Sequence, residues 1–325
     1  MSSRKRPGAY LAAAMVATLC LAGQASLAGP IRDRIMARYA ERMQQDFQED
    51  EAGLGGAVSL PAGVEVVRDV PYGSDARQRF DVYRTAQAHN APVIFMVHGG
   101  AWRWGDKAMS RVVQNKLARW VPRGFVLISV NYRMLPTDPV EQARDVARAL
   151  AVAQSKAGEW GADRGKFILM GHSAGAHLVM LVATSQSVAA GASATPWLGT
   201  ISLDSGAIDV VEIMESRHFR LYDMAFGSDP ELWRRASPYH ALTGAIRPVL
   251  TVCSLRRADS CSQAQRFANK AKSLGATVSV LEEDLSHGEI NAELGADPTY
   301  TAEVERFLSG LDATVAELLV RRPRP

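Results

Sequence analysis

The sequence predicts an α/β fold: a three-layer α/β/α sandwich around a mostly parallel eight-stranded sheet, with a small internal cap. Three observations predict it. After Pro61, strand-like runs alternate with helical patterns. Most of those runs are continuously apolar, as in a parallel sheet covered by helices on both faces. And one serine stands between two glycines where such a run passes into a helical pattern, in Gly171-His172-Ser173-Ala174-Gly175.

The elements follow in order. Arg4, Lys5 and Arg6 precede an apolar run over 11–23, and Ser26 and Ala28 put small residues at −3 and −1 of a cut after Ala28. This is the pattern of a cleaved secretory signal over 1–28 and implies a periplasmic or secreted protein; the alternative is an uncleaved membrane anchor. Residues 29–60 hold a charged amphipathic helix at 31–50 and a linker broken by Gly53, Gly55 and Gly56. The folded domain spans 61–315, and 316–325 form a C-terminal tail. Within the domain the strand-like runs are 64–70, 79–84, 92–98, 125–131, 166–172, 198–204, 248–254 and 277–283. The first two are short, more polar and lack a helix between them, so they form an antiparallel edge. Helical patterns fill 107–121, 139–157, 174–188, 260–274 and 300–314. The 205–245 stretch is too long for a plain crossover and forms the cap, as short helices over the carboxyl ends of the strands.

Composition bounds the function. With 325 residues, 47% hydrophobic and 22% charged, the chain can bury one large core. The net charge of +3 comes from scattered basic residues without interleaved aromatics, so nucleic acid is excluded as a partner. No apolar run after position 30 reaches the length of a membrane span. Export would remove Cys20 and leave Cys253 and Cys261, an even pair in an oxidising compartment, which suggests a disulfide; two free thiols are the alternative.

The chemistry centres on Ser173. A nucleophilic serine needs an exposed oxygen and a base within reach. A sharp strand-to-helix turn exposes it, and glycines at 171 and 175 remove side chains that would crowd the turn. His98-Gly99-Gly100-Ala101-Trp102 follows another apolar strand. The backbone N–H groups of Gly100, Ala101 and Ala174 are the expected oxyanion donors. Among seven histidines, His287 follows the last strand in a loop that returns over the sheet, and is the expected base. Asp259 is the only carboxylate in the loop 254–261 after the seventh strand and is the expected acid; Asp204 and Asp284 fit the chain order less well. A Cys253–Cys261 bond would then cinch the loop that carries the acid. Trp102 and Trp104 are candidates for the wall of a substrate pocket, packing under the cap being the alternative. No HExxH, paired Cys-x-x-Cys or phosphate-binding Gly loop occurs, so no metal or cofactor is implied.

HGGAW, VNYRMLP (130–136), GHSAGAHL and the late Asp and His together resemble the α/β-hydrolase superfamily, and within it carboxylesterases of the hormone-sensitive-lipase and kynurenine-formamidase kind. The resemblance covers 61–315. It implies an esterase working through an acyl-enzyme on a small-molecule ester, with the triad Ser173, Asp259 and His287. The HGG-Ala-Trp variant is closer to the formamidases, so an arylformamidase-type amidase or a peptidase is the alternative. A non-catalytic binding module on the same fold is a third reading, which the full set of triad residues disfavours.

Overall fold

The computed structural model describes residues 57–321. The expected signal segment, cleavage point and amphipathic helix lie outside them. Eight strands form one sheet: β1 (Val64–Pro71), β2 (Arg79–Thr85), β3 (Ala91–Val97), β4 (Val126–Val130), β5 (Ala162–His172), β6 (Gly199–Leu203), β7 (Val249–Ser254) and β8 (Val278–Glu283). Their order is β1-β2-β4-β3-β5-β6-β7-β8. β1 pairs antiparallel with β2, and β2 antiparallel with β4; every later pairing is parallel.

Alternation along β3 shows why the strands read as continuous apolar runs. Val93, Phe95 and Val97 face one core, and Ile94 and Met96 the other. The first core is closed by α2 (Pro139–Lys156) and α3 (Ala174–Thr184). The second is closed by α1 (Ser110–Trp120), α11 (Pro298–Ser309) and α12 (Ala313–Val320). With helices on both faces, neither set of side chains reaches water. α2 starts where Asp138 accepts hydrogen bonds from the N–H groups of Val140 and Glu141, with Pro139 in its first turn.

Two stretches, 174–188 and 316–325, depart from the sequence expectation, and a third takes up the short helices expected of it. The helix expected at 174–188 is two helices, α3 and α4 (Gln186–Ala190), because Ser185 turns extended between them. The 205–245 stretch holds four short helices: α5 (Val210–Glu215), α6 (Arg220–Phe226), α7 (Pro230–Ala236) and α8 (Pro238–Ala241). And α12 crosses the boundary set at 315: the expected tail is helical to Val320, with Val315 and Leu318 buried in the second core. Among the described residues no helix is long and apolar enough to cross a membrane.

Candidate active site

The parallel strands β3, β5, β6, β7 and β8 place their carboxyl ends on one side of the sheet, and the candidate residues leave from those ends. Ser173 links β5 to α3 with φ 54° and ψ −118°, a conformation that L side chains rarely adopt. Packing forces the turn: a Cβ on Gly171 would sit 2.3 Å from Gly175 O, and one on Gly175 would sit 2.2 Å from Val97 O. Only glycine fits either position, which is why the serine stands between two of them. The Ser173 N–H donates to Leu203 O at 3.1 Å, and Gly206 N–H donates to Ser173 O at 2.9 Å. The backbone of the serine is therefore stitched to both sides of Asp204.

Asp204, directly after β6, is fully buried with φ 44°. Its Oδ2 lies 2.5 Å from His287 Nδ1 and accepts from Arg257 Nη1 at 2.7 Å. Its Oδ1 accepts from Ser254 N–H at 3.1 Å and from the Ser260 hydroxyl. Burial alone would raise this carboxyl. The Arg257 guanidinium and the bonds from His287 and Ser260 outweigh burial and hold it well below the usual carboxylate range.

His287 opens α10 (His287–Ala292), and α10 is fixed at both ends. At its start Ser286 and Glu289 form a reciprocal capping box. At its far end the buried Lys116 Nζ donates to Asn291 O at 2.6 Å and Asn291 Oδ1 at 2.9 Å; burial lowers that ammonium to about 7. The His287 ring packs 4.5 Å from that of His172, whose Nε2–H donates to His287 O at 2.8 Å. With Nδ1 turned to Asp204, His287 Nε2 is buried and has no hydrogen-bond partner. Such an arrangement leaves one imidazole nitrogen open to take a proton, on a ring packed against the residue that precedes Ser173.

The carboxylate that meets His287 is therefore Asp204, not the expected Asp259. Asp259 is exposed, starts α9 (Ser260–Ser273) without a side-chain cap bond, and does not meet His287. Asp284 is also exposed and pairs outward with Arg256 at 2.9 Å. Within the 254–261 loop it is Arg257 that points inward, and it brings a cation to a carboxylate supplied by the neighbouring strand.

The second glycine motif turns sharply after β3: Gly100, Ala101 and Trp102 all have positive φ, at 108°, 49° and 61°. Among the described residues the buried N–H groups of Gly100 and Ala101 meet no acceptor. Ala174 is the first residue of α3, where an N–H has no partner within its own helix. His98 steadies the turn: its Nδ1–H donates to Gly99 O at 2.7 Å, its ring stacks on Tyr132, and burial lowers it to about 4.

Trp102 is 1% exposed and packs under the cap rather than lining an open wall. Its Nε1–H donates to His177 Nδ1 at 3.1 Å, and Tyr222 and Phe226 of α6 enclose its ring. His177 Nε2–H in turn donates to Ala236 O at 2.6 Å, and burial lowers that histidine to about 4. Trp104 is half-buried, with the Arg103 guanidinium 5.1 Å above its ring. Cys253 and Cys261 form a disulfide with a Cα–Cα separation of 5.1 Å, as the cysteine count suggested.

Strand order, the strand–serine–helix turn and helices on both faces decide the fold. The chain has an α/β-hydrolase fold. Residues 80–219 match the BD-FAE family model. The chain is 29% identical over 201 residues to esterase LipC of Mycobacterium tuberculosis, covering 57% of this chain and 49% of that protein. It is 31% identical over 189 residues to esterase LipQ of the same organism, covering 52% and 44%. The matched part of the chain thus spans less than half the length of these curated relatives. Among solved structures, esterase B from Lactobacillus rhamnosus superposes with a TM-score of 0.67 at 18% identity, over 88% of this chain and 96% of that one. A Thermogutta terrifontis esterase gives 0.63 at 20% identity, over 79% and 96%. In sequence the chain is similar to these esterases, and it shares the fold of the solved ones.

Proposed function

We propose that the chain is an exported serine hydrolase that cleaves carboxylic esters of small molecules through an acyl-enzyme, with Ser173 as nucleophile, His287 as base and Asp204 as the orienting acid. One observation carries the reading: the buried His287–Asp204 pair, with Nε2 of His287 unpartnered, packs on His172, the residue before the strained Ser173 turn. The esterase names of the relatives support the substrate class.

Each step uses groups already placed. The Ser173 oxygen attacks the ester carbonyl while His287 Nε2 takes its proton. The tetrahedral oxyanion is held by the N–H groups of Gly100, Ala101 and Ala174, each such donor typically worth about 10²–10³ in rate. His287 returns the proton to the departing alcohol oxygen, leaving Ser173 acylated. Water then attacks the acyl carbon and gives its proton to His287; the carbon–Oγ bond breaks, His287 returns that proton to the Ser173 oxygen, and the acid is released. Asp204 accepts the Nδ1–H bond throughout, fixes the tautomer and stabilises the imidazolium. No hydrogen bond joins Ser173 to His287 in the resting structure; such bonds commonly tighten only around substrate.

The test uses aryl esters of increasing acyl length and a fluorophosphonate probe. Ser173 should carry the label, and Ser173→Ala should lose both label and turnover. Labelling of the alanine variant at the original rate would refute the nucleophile. Export is checked by sequencing the amino terminus of periplasmic protein: a start at Gly29 supports it, and an intact terminus in the membrane fraction contradicts it.

A further inference from the structure

Asp204 comes from β6, yet most of what holds it comes from elsewhere. Of its four donors, Ser254 N–H, Arg257 Nη1 and the Ser260 hydroxyl all lie between Cys253 and Cys261. Only His287 lies outside that segment. The segment grips both carboxylate oxygens: Ser254 and Ser260 take Oδ1, and Arg257 shares Oδ2 with the imidazole. Arg257 also approaches His287 Nδ1 to 3.3 Å and is itself buried.

We infer that the disulfide-closed loop 253–261 is a clamp that fixes the Asp204 carboxylate for His287, and that Arg257 is its principal positioning residue. This rests on the reading of Asp204 as the orienting acid. A buried carboxylate with one imidazole partner could rotate about its side-chain torsions or take up a proton, and either would cost His287 its acceptor. The guanidinium opposes both, since it keeps the group ionised and pins the oxygen that faces Nδ1. A disulfide across so short a loop keeps the three donors together without taking part in the chemistry.

The experiment is a double-mutant cycle on the full chain, with kcat and KM on one aryl ester and melting by circular dichroism. Arg257→Met should lower kcat by about 10–100-fold, the range typical when a group that orients a catalytic ligand is removed, and leave KM nearly unchanged. Arg257→Lys should recover part of that loss. In an Asp204→Asn background, Arg257→Met should lower kcat no further, because the clamp has nothing left to position. A loss that is instead fully repeated in that background, or wild-type kcat in Arg257→Met while Asp204→Asn is crippled, overturns the clamp and leaves the triad reading standing. Wild-type turnover in Asp204→Asn overturns the acid assignment itself. If Arg257→Met does not fold, Ser260→Ala decides: a several-fold fall in kcat at unchanged KM supports the clamp, and unchanged kcat overturns it.

Discussion

Two carboxylates leave neighbouring parts of the sheet: Asp204 follows β6, and Asp259 follows β7 at the head of α9. They differ in everything but charge. Asp204 is fully buried and accepts four hydrogen bonds. Asp259 is exposed, and its side chain does not even cap the helix it starts. A carboxylate that must orient an imidazole needs a fixed acceptor oxygen and a reason to stay ionised away from water. Burial excludes the competing water, and a cation with two further donors offsets the cost of burial. The end of β6 meets those conditions; the loop after β7 supplies the donors that make it possible. Chain order selects which loops approach a histidine, but the partners decide which acid serves it.

The largest effect expected is at the serine that both carboxylates would have to support. Ser173→Ala should lower turnover by several orders of magnitude, on the order of 10⁶ where the nucleophile of such a unit is removed. Steady-state rates with enzyme purified free of host esterases check this. Next is the loop between the two carboxylates. Replacing both Cys253 and Cys261 by alanine should cost about 2.5 kcal/mol of stability by the chain-entropy model, read from denaturant melts, and lower kcat several-fold because the Asp204 donors are loosened. Unchanged kcat with the stability loss present would separate the loop from the acid.

Smaller still is a pH effect away from both acids. His98 and His177 are each lowered by burial to about 4. The unfolded chain binds protons at these side chains near the ordinary histidine value of about 6.5, and the folded chain does not. The stability they contribute is therefore complete above about 6.5 and is lost as pH falls toward 4. Melting temperature should decline through that window, and a flat profile there would show the two rings to be less enclosed than the structure has them.

Much of this was legible in the sequence, for reasons that also explain the failures. Most strands were readable to within a residue or so, β3 running 91–97 where the apolar run suggested 92–98, while β5 begins at 162 rather than 166. Burial on both faces writes itself into consecutive residues. Ser173 was readable because its turn permits only glycine at 171 and 175, a local requirement. Asp204 was not, because Ser254, Arg257 and Ser260 lie 50 or more residues away and arrive only through the pairing of β6 with β7. The signal present was the arginine pair 256–257 in the loop, with an aspartate ending the adjacent strand at 204. α12 was read as a tail because so short an element buries only Val315 and Leu318 and carries little periodicity. Trp102 was a candidate wall because its neighbours Tyr222 and Phe226 belong to the cap, whose path no local pattern specifies.

The most direct test of the account is kcat for Asp204→Asn beside Asp259→Asn, on one ester and with folding checked by circular dichroism. Asp204→Asn should reduce kcat by about 10⁴, the loss typical when the orienting acid of such a triad becomes an amide. Asp259→Asn should stay within about twofold of the parent, as for a surface substitution away from the site. The reverse pattern, with Asp259→Asn crippled and Asp204→Asn active, would contradict it.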